Sequence, residues 1–89
     1  MQMINLIQKS KLYKALGEPI RLKIIDYLMN QNSCVCICEL GKALKRDQSV
    51  IYRHIQILKD VNILKTSKES KYLMCCIKDK SRIKKILGD

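Results

Sequence analysis

The chain has 89 residues, 47% of them hydrophobic and 29% charged, with 18 Lys and Arg against 8 Asp and Glu and a formal net charge of +10. That is apolar material enough for the core of one small domain over residues 1–89 and too much for a disordered tail, while the surplus of positive charge points to nucleic acid or another anionic surface as partner. A monomer this short hides only about 60% of the surface its unfolded form exposes, so a second subunit is expected to cover some of what is left.

Met3 to Leu16 places Met3, Ile4, Leu6, Ile7, Leu12, Tyr13 and Leu16 at mixed spacings of three and four, which predicts an amphipathic helix ended by a turn at Gly17. Pro19 then opens a second helix that runs to about Met29, with Ile20, Ile24, Ile25, Tyr27 and Leu28 apolar, and the polar Asn30-Gln31-Asn32-Ser33 loop stops it. Ser33 to Cys38 alternates as a short strand does. It leads into a helix of two turns, Ile37 to Leu44, with Leu40, Ala43 and Leu44 on one side.

Lys45-Arg46 is a tight connection to a fourth helix, which reaches about Val61. Asp47 is placed to cap it, its carboxylate accepting from amides of the first turn, and Asn62 suits a left-handed stop. Ile63 to Thr66 and Lys71 to Ile77 are β-prone runs separated by Ser67-Lys68-Glu69-Ser70, a hairpin pattern, and Arg82 to Leu87 closes the chain as a short helix. Two short helices joined by a tight turn and followed by a hairpin describe a mainly α winged helix-turn-helix.

At about 100° per residue, Asp47 to Val61 puts Ile51, Ile55 and Leu58 on one line, flanked by Val50, His54, Ile57 and Val61, and this half is expected to be buried. The other half carries Gln48, Ser49, Tyr52, Arg53, Gln56 and Lys59, with Asp60 among them. Arg can bond guanine bidentately and Gln can bond adenine, so this face can read a major groove. Phosphates are expected at Lys42, Lys45 and Arg46 beside the turn and at Lys68 and Lys71 in the hairpin. His54, the one histidine, sits at the edge of the buried half and is read as a satisfied, partly buried imidazole.

With these elements placed, Lys14 to Ile77 resembles the ArsR/SmtB family of winged-helix repressors. Three blocks carry the likeness. Ala15 to Ile25 (ALGEPIRLKII) is similar to the family's entry, Cys36-Ile37-Cys38-Glu39-Leu40 to its metal box, and Asp47 to Ile55 (DQSVIYRHI) to its reading helix. The resemblance implies a homodimer joined through the first and last helices, and repression of a double-stranded DNA operator relieved by an effector. Val50 and Tyr52 stand where the family has small hydroxyl residues, so no operator sequence carries over. The hairpin lacks the usual glycine, which implies a differently shaped wing. Asp79 precedes the last helix without a histidine partner, so the carboxylate-and-imidazole zinc site of some members looks absent.

The five cysteines are odd in number, with Cys34, Cys36 and Cys38 alternating and Cys75 adjoining Cys76, and cysteines so close in sequence make poor disulfide staples. Residues Met1 to Ile7 lack the features of a secretory leader and no apolar run spans a bilayer, so reduced thiols in a cytoplasmic protein with no membrane partner are expected. Thiolate suits copper(I), cadmium, zinc or trivalent arsenic. On an extended strand Cys34, Cys36 and Cys38 would face one side, whereas in a helix Cys36 and Cys38 would diverge by about 200°. Three sulfurs without histidine suit trivalent arsenic or a heavy soft cation better than zinc, which wants four ligands. The plainer alternative is that these cysteines are small core residues. Of Cys75 and Cys76, one is expected in the core and the other exposed. Oxidation of the clustered thiols is a further alternative, aided by Lys42.

A single histidine, scattered carboxylates and no phosphate-binding glycine loop leave no catalytic constellation, so neither an enzyme nor an organic cofactor is expected. A thiol metal carrier would explain the cysteines without the reading helix. A general nucleic-acid binder would explain the charge without the cysteines. A winged-helix regulator that answers to redox, or to no effector, needs no metal.

Overall fold

The computed structural model describes residues 3–88. Among these described residues, five helices and three strands follow in the order α1 (Met3–Leu16), α2 (Pro19–Met29), β1 (Val35–Cys36), α3 (Ile37–Leu44), α4 (Gln48–Asp60), β2 (Leu64–Glu69), β3 (Tyr72–Ile77) and α5 (Lys80–Leu87). The strands form one antiparallel sheet in the order β1-β3-β2, with Val35 opposite Cys75 and Thr66 opposite Cys75 from the other side. This is the expected winged helix-turn-helix.

The core lies where α2, α3 and α4 meet the sheet. Ile24, Ile25 and Leu28 of α2, Leu40 of α3 and Ile51, Ile55 and Leu58 of α4 are each at most 2% exposed, and Leu64, Cys75 and Ile77 close the layer from the sheet. Each apolar helix residue recurs three or four positions after the last, so one stripe of each helix is hidden. Ile57 departs from the expected pattern, remaining 36% exposed because it lies at the rim of the stripe. Helix α1 departs further: Leu12, Ala15 and Leu16 pack on the core, while Leu6, Ile7 and Tyr13 are 52%, 53% and 60% exposed. Its apolar residues therefore fall on two sides, not on the single face of an amphipathic helix.

The α3–α4 turn is set by backbone geometry. Lys45 takes a left-handed conformation (φ 57°), and its N–H and that of Arg46 both donate to the Gly41 carbonyl. Gly41 is buried, and a Cβ there would stand 3.0 Å from the Arg46 carbonyl oxygen, so only glycine allows this approach without a shift. Asp47 occupies the N-cap of α4 with an extended backbone, yet its side chain makes no capping bond, contrary to expectation. Its backbone carbonyl instead accepts from Val50 and Ile51 at 3.0 and 3.1 Å. Asn62 takes the expected left-handed stop (φ 62°).

Two further boundaries shift. The hairpin loop is only Ser70-Lys71, because Ser67, Lys68 and Glu69 pair with Met74, Leu73 and Tyr72 as part of β2. Ser70 itself adopts the left-handed conformation (φ 57°) that glycine would take without cost. Helix α5 starts at Lys80, since the Asp79 carboxylate accepts from the backbone N–H of Ser81 and Arg82 at 3.1 and 3.2 Å. The Ser81 hydroxyl, which also donates to Asp79 at 2.8 Å, and then these backbone N–H groups hold the Asp79 carboxyl below its ordinary range.

Candidate functional site

Helix α4 presents two unlike faces. With Ile51, Ile55 and Leu58 turned inward, Gln48, Ser49, Tyr52, Arg53 and Lys59 are exposed and Gln56 is half-buried at the margin. Lys42 on α3, Lys45 and Arg46 in the turn, and Lys68 and Lys71 in the hairpin are also exposed. Among these cations, Arg46 donates to the Lys45 carbonyl at 3.2 Å and Lys71 lies over the Tyr72 ring at 5.6 Å. The others, Arg53 included, have no side-chain hydrogen bond within the chain among the described residues, which leaves their donors available to an outside anion.

Arg21 ties α4 to the rest. Its Nε donates to the Ala15 carbonyl at 2.6 Å, and its Nη1 lies 3.2 Å from His54 Nδ1. A guanidinium has no acceptor, so His54 Nδ1 must accept and the imidazole is neutral, with its proton on Nε2. One arginine on α2 thus joins the end of α1 to the middle of α4. The partly buried, satisfied imidazole was expected; its partner was not. The available signal was an arginine in the apolar run of α2 alongside a lone histidine.

Burial, and then the positive charge of Arg21, hold His54 below its ordinary pKa, with Glu18 opposing them and Arg53 adding a smaller push in the same direction. The unfolded chain therefore takes up a proton first as pH falls through about 6.5. Stability from this contact is complete above that pH and declines as pH drops towards the lower folded pKa. Lowering pH from about 7 to 5 is expected to reduce the thermal midpoint less in His54→Gln, whose side chain accepts from Arg21 but does not titrate, than in the unaltered protein. Equal losses in thermal melts at matched ionic strength would show that His54 does not carry this dependence.

The cysteines are arranged otherwise than expected. Strand β1 is two residues long and α3 begins at Ile37, so the strand alternation ends before Cys38. The sulfurs of Cys36 and Cys38 pair with each other, their Cα atoms 5.2 Å apart, and Cys36 Sγ also accepts from the Cys38 backbone N–H at 3.2 Å, capping α3. Cys34 pairs instead with Cys76, whose Cα is 4.6 Å away. Cysteines that are poor staples within one cluster are thus brought together across 42 residues by the sheet. Of the adjoining Cys75 and Cys76, Cys75 is the one in the core, a fully buried free thiol that burial pushes up to about 12. Cys76 is half-buried and not fully exposed. Among the described residues no three His, Cys, Asp or Glu side chains are grouped to hold one ion. Nor, among them, is any helix long and apolar enough to cross a membrane.

Residues 18–66, which contain the helix-turn-helix, match the family model described as bacterial regulatory protein, arsR family. An uncharacterized HTH-type transcriptional regulator of Methanocaldococcus jannaschii is 36% identical over 78 residues, covering 88% of this chain and 85% of that protein. The arsenical resistance operon repressor of Escherichia coli is 32% identical over 71% of this chain and 53% of its own length. A Staphylococcus aureus homolog of the cadmium resistance regulator CadC is 27% identical over 84% of this chain and 61% of its own. The chain thus spans little more than half the length of these two resistance regulators. Among solved structures, the transcriptional regulator HlyU of Vibrio vulnificus superposes with a TM-score of 0.73 at 28% identity, covering 94% of this chain and 88% of HlyU. The homodimeric winged helix-turn-helix DNA-binding domain from Mycobacterium bovis superposes with a TM-score of 0.83 at 20% identity, covering 96% and 79%. The fold, the exposed polar face of α4 and these matches converge: the chain belongs to the arsR family of bacterial regulatory proteins and is a transcriptional regulator with a DNA-binding helix-turn-helix.

Proposed function

We propose that the chain, acting as one winged-helix unit over residues 1–89, is a cytoplasmic, non-enzymatic homodimeric repressor that reads a double-stranded operator through α4. The observation that carries this reading is the outer face of α4, where Arg53 and Gln56 offer bidentate groups to guanine and adenine beside Gln48, Ser49, Tyr52 and Lys59. Lys42, Lys45, Arg46, Lys68 and Lys71 hold phosphates and set the register. The uncovered Leu6, Ile7 and Tyr13 of α1, with Leu87 of α5 40% exposed, supply the apolar surface that a second copy would hide. Two reading helices on one face of B-DNA would then meet half-sites about 34 Å apart. Sedimentation at micromolar concentration tests the assembly: two chains per particle are expected, and a stable monomer that binds its operator at full affinity refutes it.

A soft, thiol-seeking ion is the effector we favour, trivalent arsenic first and cadmium second, with copper(I) and zinc behind them. What supports it is donor chemistry, together with the names of the arsenical and cadmium resistance relatives. Cys36 and Cys38 provide two adjoining sulfurs at the start of α3, the helix that supports α4. Cys34 would be the third, but it is turned to Cys76, so the three do not fit one ion as they stand. Under reducing conditions the ion is expected to weaken operator binding by roughly 5- to 150-fold. Cys36→Ser or Cys38→Ser should keep DNA binding and lose that response in a gel-shift titration, whereas Cys75→Ser should keep both. A response surviving in the variant that lacks Cys34, Cys36 and Cys38 together would exclude this site.

A further inference from the structure

We propose that Cys34 and Cys76 form a thiol–disulfide site oxidised by small hydroperoxides, separate from the Cys36–Cys38 pair. The sheet register builds it. Val35 lies opposite Cys75 on β3, so Cys34, one residue before β1, falls opposite Cys76, and Cys76 lies opposite Lys65 on β2. Cys34, Cys76 and Lys65 thus form one row on the same face of the sheet. A Cα separation of 4.6 Å between the cysteines matches the close, non-hydrogen-bonded pair of an antiparallel ladder and falls within the span a disulfide bridges without backbone movement.

The surroundings distinguish this pair from the neighbouring thiol. Cys34 and Cys76 line a cleft of about 250 Å³ together with Lys65, Lys80 and Gln31. Cations lining the same cleft favour the nucleophilic thiolate, Lys80 being held there by donating to the Met29 and Gln31 carbonyls, and the cleft admits a small oxidant. Cys75 points to the opposite face, where it is fully buried and its Sγ donates to the Val35 carbonyl at 3.4 Å. Strand alternation therefore separates a reactive thiol from an inert one at consecutive positions.

The reaction balances with one hydroperoxide. The Cys76 thiolate attacks the terminal oxygen of the O–O bond and becomes a sulfenic acid, and the departing alkoxide or hydroxide takes up the proton that Cys76 gave up. The Cys34 thiol then attacks that sulfur, the S–S bond forms, and the sulfenic oxygen leaves as water with the Cys34 proton. Both sulfurs are oxidised and the peroxide is reduced by two electrons. The segment closed by the bond contains α3, α4 and most of the wing, so oxidation ties the entry of the helix-turn-helix to the inner wing strand.

The test treats the reduced, full-length protein with hydrogen peroxide, blocks remaining thiols with N-ethylmaleimide and assigns cross-linked tryptic peptides by tandem mass spectrometry. A Cys34–Cys76 linkage is expected to accumulate while Cys75 stays reduced, and the oxidised protein should melt at a higher temperature than the reduced one. Cys34→Ser should lose the linkage and leave a sulfenic acid on Cys76 that dimedone traps, and Lys65→Ala should slow its formation. Cys75→Ser should change none of this. Consumption of peroxide with Cys34 and Cys76 both recovered as alkylated thiols, or with only a Cys36–Cys38 bond formed, would overturn the proposal. These readouts involve no DNA or metal, so they stand or fall apart from the repressor reading.

Discussion

Replacing Leu58 by Ala is expected to destabilise the fold by about 2–5 kcal/mol, the range for emptying a well-packed aliphatic site. Leu58 is fully buried on the inner face of α4, beside Ile51 and Ile55 and against the core that Ile24, Ile25 and Leu40 supply. Total stability of a small domain is about 5–15 kcal/mol, so this one change removes a large share of it. Lys59→Ala, one position along on the exposed face, is expected to stay within about 0.5 kcal/mol. Denaturant unfolding of the two variants decides the orientation of α4: comparable losses would mean that the helix does not present the face assigned to it.

Arg53→Ala and Gln56→Ala are each expected to cost about 1–3 kcal/mol of affinity on the true operator and much less on random duplex, because base-edge hydrogen bonds are lost. Lys68→Ala removes a phosphate contact instead. It should weaken both duplexes alike and lower the salt slope by about one unit. Gln56 is half-buried where Arg53 is exposed, so the Arg53 effect should be the larger of the two. Binding isotherms at several salt concentrations separate these cases, and a uniform loss in the Arg53 and Gln56 variants would place base reading on another face.

Helix ends were legible where one residue type has a strong local reason to be there. Pro19 opens α2 and Asn62 takes the left-handed stop after α4, as their covalent geometry favours. The buried line Ile51, Ile55, Leu58 followed from helical period alone. Polarity misled at the wing: Ser67, Lys68 and Glu69 read as loop, but a ladder is built from backbone groups and accepts polar side chains where its face meets water. Asp47 had the right position for a cap, yet position does not fix a rotamer, and its carboxylate is not used.

The contacts least legible were those between distant positions. Arg21 meets His54 across 33 residues, and Cys34 meets Cys76 across 42, through a strand register that no local pattern specifies. The resemblance placed Arg21 and His54 in two separate blocks without showing that each completes the other. It also placed Cys36 and Cys38 in a shared box, whereas the division of four cysteines into two pairs depends on where β1 stops and α3 starts. The exposed face of α4 was foreseen because solvent exposure follows from the same period that buries its inner face.

The most direct measurement of the central claim is a competition experiment at fixed salt, in which the duplex upstream of the chain's own gene is titrated against random duplex and RNA. Reading by α4 predicts that the upstream duplex binds at least about 10³-fold more tightly than either competitor, the lower end for a sequence-specific protein. Equal affinity for all three, set only by salt, would contradict it and leave a basic domain that grips phosphate without reading sequence.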